Sequence, residues 1–279
     1  MRRLAAAALG MTMGGALATA GQAFAAETPA PAGCAAPAWL TVIGQALDRS
    51  AVRVEGGGVK IVAIGSSSTV GIGASSPALS YPSRLEAELA SRFPGAAIHV
   101  LNRGKGGEDA PEELARLGHD AIAEHPDLVI WQVGTNAVLR RDDLAADGEL
   151  IEEGVARLQE GGSDVLLMDL QYAPRVVARP GAPTMERLIA DAAKRGRVGL
   201  FRRFEIMRHW QNAAAADAPP MVGPDGLHMS DQGYRCLAAD LATALADNWR
   251  AAIAARRREA ASVAGLSARH SAAHGESAR

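Results

Sequence analysis

The sequence has few aromatic residues, almost no net charge and only two cysteines. Aromatic side chains make up 4% of the 279 residues, which leaves few to line a wide apolar lipid groove. A formal net charge of −2 provides no basic excess for nucleic acid or an anionic membrane surface. No stretch of the mature chain has the length and apolarity of a transmembrane helix. The remaining composition, 48% hydrophobic and 22% charged, is typical of one globular α/β domain.

The N-terminal residues have the layout of a secretory signal peptide. Arg2 and Arg3 precede a segment rich in Leu, Ala and Met, and residues 23–25 read Ala-Phe-Ala, a small-x-small cleavage site. We therefore expect a signal peptide at residues 1–25 and export to the periplasm or the extracellular space.

The rest of the chain is predicted to have one folded domain between two less ordered segments. Residues 26–55 begin rich in Pro and Ala and are predicted to be an extended leader. The folded domain is expected at residues 56–250, and a disordered tail at 251–279. His270 and His274 lie in that tail, where solvated histidines are the expected state, so no metal site is assigned.

The two cysteines are Cys34 and Cys236. Export would place them in an oxidising compartment, which predicts one disulfide between the leader and the C-terminal helix. Two unpaired, buried thiols are the alternative, because spacing alone does not show that the cysteines meet.

Apolar runs alternate with helical patterns from residue 60 onward. This order predicts a parallel sheet of about five strands joined by crossover helices. The predicted strands are Lys60 to Ile64, Ala97 to Leu101, Leu128 to Val133, Val165 to Leu170 and Val198 to Phe201. The predicted helices are Tyr81 to Arg92, Pro111 to Glu124, Asp142 to Gln159, Thr184 to Arg195, Arg203 to Ala214 and Ser230 to Arg250.

Residues that could take part in catalysis follow successive elements of the predicted fold. The first strand stops at Gly65, and three serines come next in a tight turn, where one could be a nucleophile. A glycine-rich loop at residues 102–108 could aim a backbone N–H at an anion. Asn136 follows the third strand and carries a neutral amide donor. Asp225 and His228 share one loop, where the carboxylate can reach the imidazole.

Each of these features has a simpler interpretation when taken alone. The serine turn could be a flexible connection, Gly107 could serve a turn, and Asn136 could cap a helix. Asp225 and His228 could be a surface pair. Together, at the ends of successive elements, they supply a nucleophile, oxyanion donors, a base and the residue that orients it.

In this order the blocks resemble those of the SGNH hydrolases, the GDSL-type esterases and lipases, over residues 60–249. The resemblance implies a flavodoxin-like, three-layer α/β/α sandwich that needs no metal or organic cofactor. It places the nucleophile at Ser67 and the second block's glycine at Gly107. One departure is Ser66, where the family usually has Asp, and another is Ser68, where it usually has Leu.

The resemblance also implies a mechanism of two-step acyl transfer to water. His228 takes the proton of Ser67 while Asp225 holds the imidazole. The oxyanion lies between the backbone N–H groups of Ser67 and Gly107 and the side-chain amide of Asn136.

The residues indicate the substrate only in outline. Tyr172 and Arg175 follow the fourth strand and are candidate substrate contacts, although surface packing is the more common role of such side chains. Export and few aromatics favour short-chain, chiefly O-acetyl, esters of small molecules or glycans. The alternatives are a lysophospholipase or thioesterase, an O-acyltransferase on glycans, and a catalytically silent carbohydrate-binding module. The oligomeric state does not follow from the sequence.

Overall fold

Five parallel strands form the central sheet, in the order β2-β1-β3-β4-β5. The computed structural model describes the backbone of residues 33–276 and the side chains of residues 33–264. The predicted signal peptide and residues 26–32 of the predicted leader lie outside these described residues. The strands are β1 (Gly58–Gly65), β2 (Ala97–Gly104), β3 (Leu128–Gln132), β4 (Asp164–Met168) and β5 (Gly199–Phe201).

Helices cover both faces of the sheet. They are α1 (Ala38–Thr41), α2 (Asp48–Glu55), α3 (Ser67–Val70), α4 (Tyr81–Arg92), α5 (Ala110–Asp120), α6 (Thr135–Arg140), α7 (Leu144–Glu160), α8 (Pro174–Val177), α9 (Ala182–Gly196), α10 (Arg203–Ala213) and α11 (Asp231–Glu276). Single 3-10 turns occur at Pro77–Leu79 and Ile122–Glu124. None of the helices within the described residues is long and apolar enough to cross a membrane.

The strands divide their side chains between two apolar layers because successive residues point to opposite faces. Ile61 and Ile130 belong to the layer under α2, α4 and α11, whereas Ile64 and Trp131 belong to the layer under α5, α7 and α9. β3 is buried along its whole length, as expected for a central strand covered on both faces. The predicted three-layer α/β/α fold with a parallel sheet is therefore confirmed.

The strand order creates a crevice at one edge of the sheet. β1 pairs with β2 on one side and with β3 on the other, so the chain reverses its direction of winding between β1 and β3. In open parallel sheets, ligands bind beyond the carboxyl ends of the strands at this point. The serine turn follows β1, and Asn136 follows β3. The fold thus brings these two segments to the same crevice.

The prediction of an extended leader is wrong for much of residues 26–55, because α1 and α2 lie there. Leu47, Ala51 and Val54 are buried in the core, and their spacing puts them on one face of α2. Ser50 donates its backbone N–H and its hydroxyl to Asp164, at 2.8 and 2.7 Å. The folded unit consequently begins before the predicted boundary at residue 56.

The prediction of a disordered tail at residues 251–279 is also wrong for residues 251–276, since α11 continues to Glu276. Residues 277–279 lie outside the described residues. Ala252 and Ile253 are buried against the core, and Arg257 forms an ion pair with Glu55 at 2.8 Å. Alanine is the strongest helix former, and it recurs throughout this segment.

Cys34 and Cys236 form a disulfide, the pairing predicted from the sequence. The bond links residues 202 positions apart and attaches the segment before α1 to the buried face of α11.

Replacing both cysteines with serine should lower the free energy of unfolding by about 2–4 kcal/mol, since the bond restricts the unfolded chain. Urea unfolding of the oxidised wild type and of Cys34→Ser/Cys236→Ser measures the difference. A reductant should shift the wild-type midpoint toward that of the variant and leave the variant's midpoint in place. Equal midpoints for the oxidised wild type and the variant would contradict this expectation.

Stability should fall as the pH rises from about 4 to about 7. Burial raises the pKa of Asp109, Asp169 and Asp240 to about 7 in the folded chain. Unfolded aspartates titrate near pH 4, so over this interval the folded state binds more protons than the unfolded state. Ionisation of these carboxyls at higher pH therefore opposes folding.

Urea midpoints measured between about pH 5 and about pH 8 test this slope. Asp240→Asn is the informative variant, because an amide oxygen can still accept the hydrogen bond that Trp210 donates to Asp240, at 3.0 Å. The slope should be shallower in the variant. A slope as steep as that of the wild type would count against Asp240 as a contributor.

Candidate active site

The turn after β1 presents Ser67 at the first position of α3. Gly65 has a φ of 152°, and a Cβ there would lie 2.6 Å from the carbonyl oxygen of Gln132, so only glycine fits. The side-chain oxygen of Gln132 accepts hydrogen bonds from the backbone N–H and hydroxyl of Ser66, both at 3.1 Å, and from Thr69 at 3.2 Å. Ser66 and Thr69 are buried by these contacts, while Ser67 stays partly exposed.

A second tight turn, residues 223–228, carries the candidate base and is called the histidine turn below. The N–H of Gly223 donates to the carbonyl of His228 at 2.8 Å and closes the turn. One carboxylate oxygen of Asp225 accepts the backbone N–H groups of Leu227 and His228, both at 3.0 Å. The other lies 2.5 Å from His228 Nδ1. Asp225 therefore sets the orientation of the imidazole.

His228 Nε2 lies 3.0 Å from Ser67 Oγ, which completes a continuous chain of hydrogen bonds from serine to carboxylate. Burial alone would raise the pKa of Asp225. The two backbone N–H groups and the histidine outweigh that effect and hold the pKa below its ordinary value. The carboxylate thus remains ionised at neutral pH, as an orienting partner for the histidine must.

Close packing fixes the serine segment against the histidine turn. Gly73 has a φ of 96°, and a Cβ at this position would lie 2.4 Å from the Met229 carbonyl oxygen and 3.1 Å from His228 Cβ. Nearby, Tyr234 donates its hydroxyl proton to the carbonyl of Ile72 at 2.7 Å. These two contacts hold the segment after Ser67 close to the histidine turn, and so help to keep Ser67 Oγ 3.0 Å from His228 Nε2.

Two of the three candidate oxyanion donors, Gly107 and Asn136, lie on neighbouring segments. The side-chain nitrogen of Asn136 donates one hydrogen to the carbonyl of Glu108, at 2.7 Å, and an amide nitrogen has a second hydrogen to donate. Gly107 precedes that carbonyl and has a φ of 83°, a conformation that favours glycine. Asp109 joins the loops by accepting N–H groups from Gly134, at 3.1 Å, and from Ala137.

Gln171, which follows β4, is hydrogen-bonded to three of the segments that carry candidate site residues. Its side-chain oxygen accepts hydrogen bonds from Ser68 at 3.3 Å, Thr135 at 3.0 Å and Arg203 at 3.0 Å. Its side-chain nitrogen donates to the carbonyl of Leu227 at 3.5 Å. Ser68, Thr135 and Leu227 each adjoin a candidate site residue, so one buried amide links the serine, asparagine and histidine segments.

The two predicted substrate contacts have different surroundings. Tyr172 is partly buried, packs edge-on against Phe204 with ring centroids 5.0 Å apart, and lines a cavity of about 230 Å³. Arg175 donates its backbone N–H to the carbonyl of Gly226 at 3.0 Å, and its side chain is exposed. A larger cavity of about 780 Å³, between the α1–α2 connection and α11, contains none of the candidate site residues.

Reasoning from the sequence missed three residues that position the site, namely Gln132, Gln171 and Asp109. Asp109 had a detectable signal, because Asp109 and Glu112 form a capping box at the start of α5. The two glutamines had only a weak signal, a polar residue at the end of an apolar strand. The described residues contain no group of three or more His, Cys, Asp or Glu side chains that could hold a metal ion.

Solved structures with the same fold include several esterases. Axe2, an acetylxylan esterase from Geobacillus stearothermophilus, aligns with a TM-score of 0.57 at 23% identity, over 68% of this chain and 94% of its own. TesA aligns with a TM-score of 0.58 at 21% identity, over 68% of this chain and 99% of its own. A two-domain esterase (CEX) active on acetylated mannans gives 0.59 at 21% identity, over 75% and 56%. At this level of identity the alignments establish a shared fold.

A search of curated proteins gave no match. The model of the non-GDSL lipase-like family, in contrast, matches residues 33–251, which include the described site. This match agrees with Ser66 and Ser68 standing where the GDSL pattern has other residues. The chain belongs to the non-GDSL lipase-like family and, with it, to the SGNH superfamily of ester-hydrolysing serine hydrolases.

Proposed function

We propose that this protein is an exported serine esterase that hydrolyses short acyl esters, chiefly O-acetyl esters of glycans. The observation that carries the proposal is the hydrogen-bonded chain of Ser67, His228 and Asp225 at the carboxyl end of the sheet. A serine held 3.0 Å from an imidazole whose other nitrogen meets a carboxylate is an activated nucleophile.

In the first step, Ser67 Oγ attacks the ester carbonyl while His228 Nε2 takes the hydroxyl proton. The carbonyl oxygen becomes an oxyanion, which the N–H groups of Ser67 and Gly107 and the amide of Asn136 stabilise. The C–O bond to the alcohol then breaks, and the imidazolium returns its proton to the departing oxygen. The products of this step are the free alcohol and an acyl-enzyme on Ser67.

In the second step, a water molecule attacks the acyl carbonyl, and His228 accepts its proton. The intermediate collapses with cleavage of the bond to Ser67 Oγ, which takes the proton back from the imidazolium. The carboxylic acid leaves, and the site returns to its starting state. Asp225 stays ionised in both steps and holds the imidazole in the required tautomer.

Two observations support the substrate and the location. Two of the fold neighbours are an acetylxylan esterase and an esterase active on acetylated mannans. The disulfide between Cys34 and Cys236 is typical of an oxidising compartment outside the cytosol and supports export.

Ser67→Ala should lower kcat on p-nitrophenyl acetate by roughly 10⁴–10⁶-fold, because no nucleophile remains to form the acyl-enzyme. For the wild type, kcat/KM should fall from acetate to butyrate to octanoate. Ser76→Ala is the matched control, since this exposed serine makes no side-chain hydrogen bond within the described residues. A folded wild type as inactive as Ser67→Ala on all three esters would refute simple ester hydrolysis and favour acyl transfer or silent binding. A preference for octanoate would instead favour a lipid hydrolase.

Asn136→Ala should lower kcat about 10²–10³-fold with little change in KM, since the lost donor acts on the oxyanion that forms in the transition state. Asn212→Ala, on an exposed position of α10, is the control. Thermal unfolding verifies that losing the bond to the Glu108 carbonyl has not unfolded the loop. A kcat within a few-fold of the wild type would remove Asn136 from the proposed oxyanion site.

A further inference from the structure

A cavity lined by arginines lies at the far end of the loops that carry the candidate site. Its volume is about 450 Å³, within the usual range for small-ligand sites. The end of α6, the start of α7 and the α8–α9 connection enclose it. The lining side chains that matter here are Arg141, Arg179, Asp142, Val138, Leu144 and Pro180. None of them is aromatic, and the apolar ones are short.

Two short helices connect this cavity to the catalytic residues. α8 begins beside the histidine turn, where the Arg175 N–H bonds the Gly226 carbonyl at 3.0 Å. Arg179 lies two residues after the end of α8 and lines the cavity. In the same way, α6 has Asn136 in its first turn and is followed directly by Arg141. Both segments therefore run from the neighbourhood of candidate site residues to the cavity.

Three arginine side chains of this region lack partners. Within the described residues, Arg141, Arg175 and Arg179 form no side-chain hydrogen bond and no ion pair. Asp142, the acidic residue in the lining, lies 4.0 Å from Arg140, which also pairs with Glu112 at 3.4 Å. Arg141 and Arg179 therefore each bring to the cavity a guanidinium group that no carboxylate of the described residues pairs with.

We propose that this cavity binds a carboxylate of the substrate and makes the enzyme selective for acyl esters of acidic glycans, those that contain uronic acids. The proposal rests on the proposed esterase function. A guanidinium group binds a carboxylate through two parallel N–H bonds, and Arg141 and Arg179 are free to do so. The short apolar side chains suit a sugar ring better than a long acyl chain.

The test compares O-acetylated oligogalacturonate with an O-acetylated xylo-oligosaccharide of equal length, and p-nitrophenyl acetate reports on the catalytic centre. The ratio of kcat/KM for the acidic to the neutral oligosaccharide should exceed one in the wild type and decline with added salt. In Arg141→Gln/Arg179→Gln it should fall about tenfold, the equivalent of ~1.4 kcal/mol.

Arg197→Gln is the matched control. Arg197 also lacks a side-chain partner and has a similar φ, 52° against 65° for Arg141, but it precedes β5 at the opposite edge of the sheet. The control should keep the wild-type ratio. An equal loss in Arg197→Gln, or an unchanged ratio in the double variant, would overturn the proposal. Faster hydrolysis of an anionic lysophospholipid than of the acidic oligosaccharide would overturn the glycan assignment.

Calorimetry separates this proposal from the proposed esterase activity. Ser67→Ala should bind unacetylated oligogalacturonate, and adding Arg141→Gln and Arg179→Gln should weaken that binding about tenfold or more. If no ester is hydrolysed, the esterase function fails, yet this binding result still decides whether the cavity takes acidic sugars. Equal affinities with and without the two arginines would reject the proposal that the cavity binds acidic sugars.

Discussion

Two buried glutamine side chains hold the candidate site together. Gln132 Oε1 accepts three hydrogen bonds, two from Ser66 and one from Thr69. Gln171 Oε1 also accepts three, one each from Ser68, Thr135 and Arg203. Buried donors left without partners would each cost about 1–3 kcal/mol, so the loops are stable only where these amides reach them. The 3.0 Å distance between His228 Nε2 and Ser67 Oγ depends on that arrangement.

The sheet determines the positions of these two glutamine side chains. In the parallel register, Gly65 at the end of β1 lies opposite Gln132 on β3 and Gly104 on β2. Three loops therefore leave the sheet at the same level, at the point where the winding reverses. Chemistry requires side chains from remote parts of the chain within hydrogen-bonding distance, and parallel strands supply this by aligning their carboxyl ends. The cavity lined by Arg141 and Arg179 lies next to these loops.

The ends of the described chain belong to the domain that carries the site. α2 and α11 cover one face of the sheet, and Trp249 on α11 donates its indole N–H to Ser50 on α2 at 2.9 Å. The disulfide joins Cys34 to the same helix. Since α11 follows the histidine turn directly, this packing also anchors the turn that carries Asp225 and His228.

Much of the fold follows from local pattern. The sequence by itself determined the five strands, the longer helices between them and the family, because apolar periodicity and each motif block depend on residues close in the chain. It also identified Ser67, Asp225 and His228 as candidate catalytic residues, and their roles remain a proposal. Only the tertiary structure decided the buried face of α2, the continuation of α11, the glutamine hydrogen bonds and the arginine cavity. Each of these depends on contacts between distant segments, which local pattern does not encode.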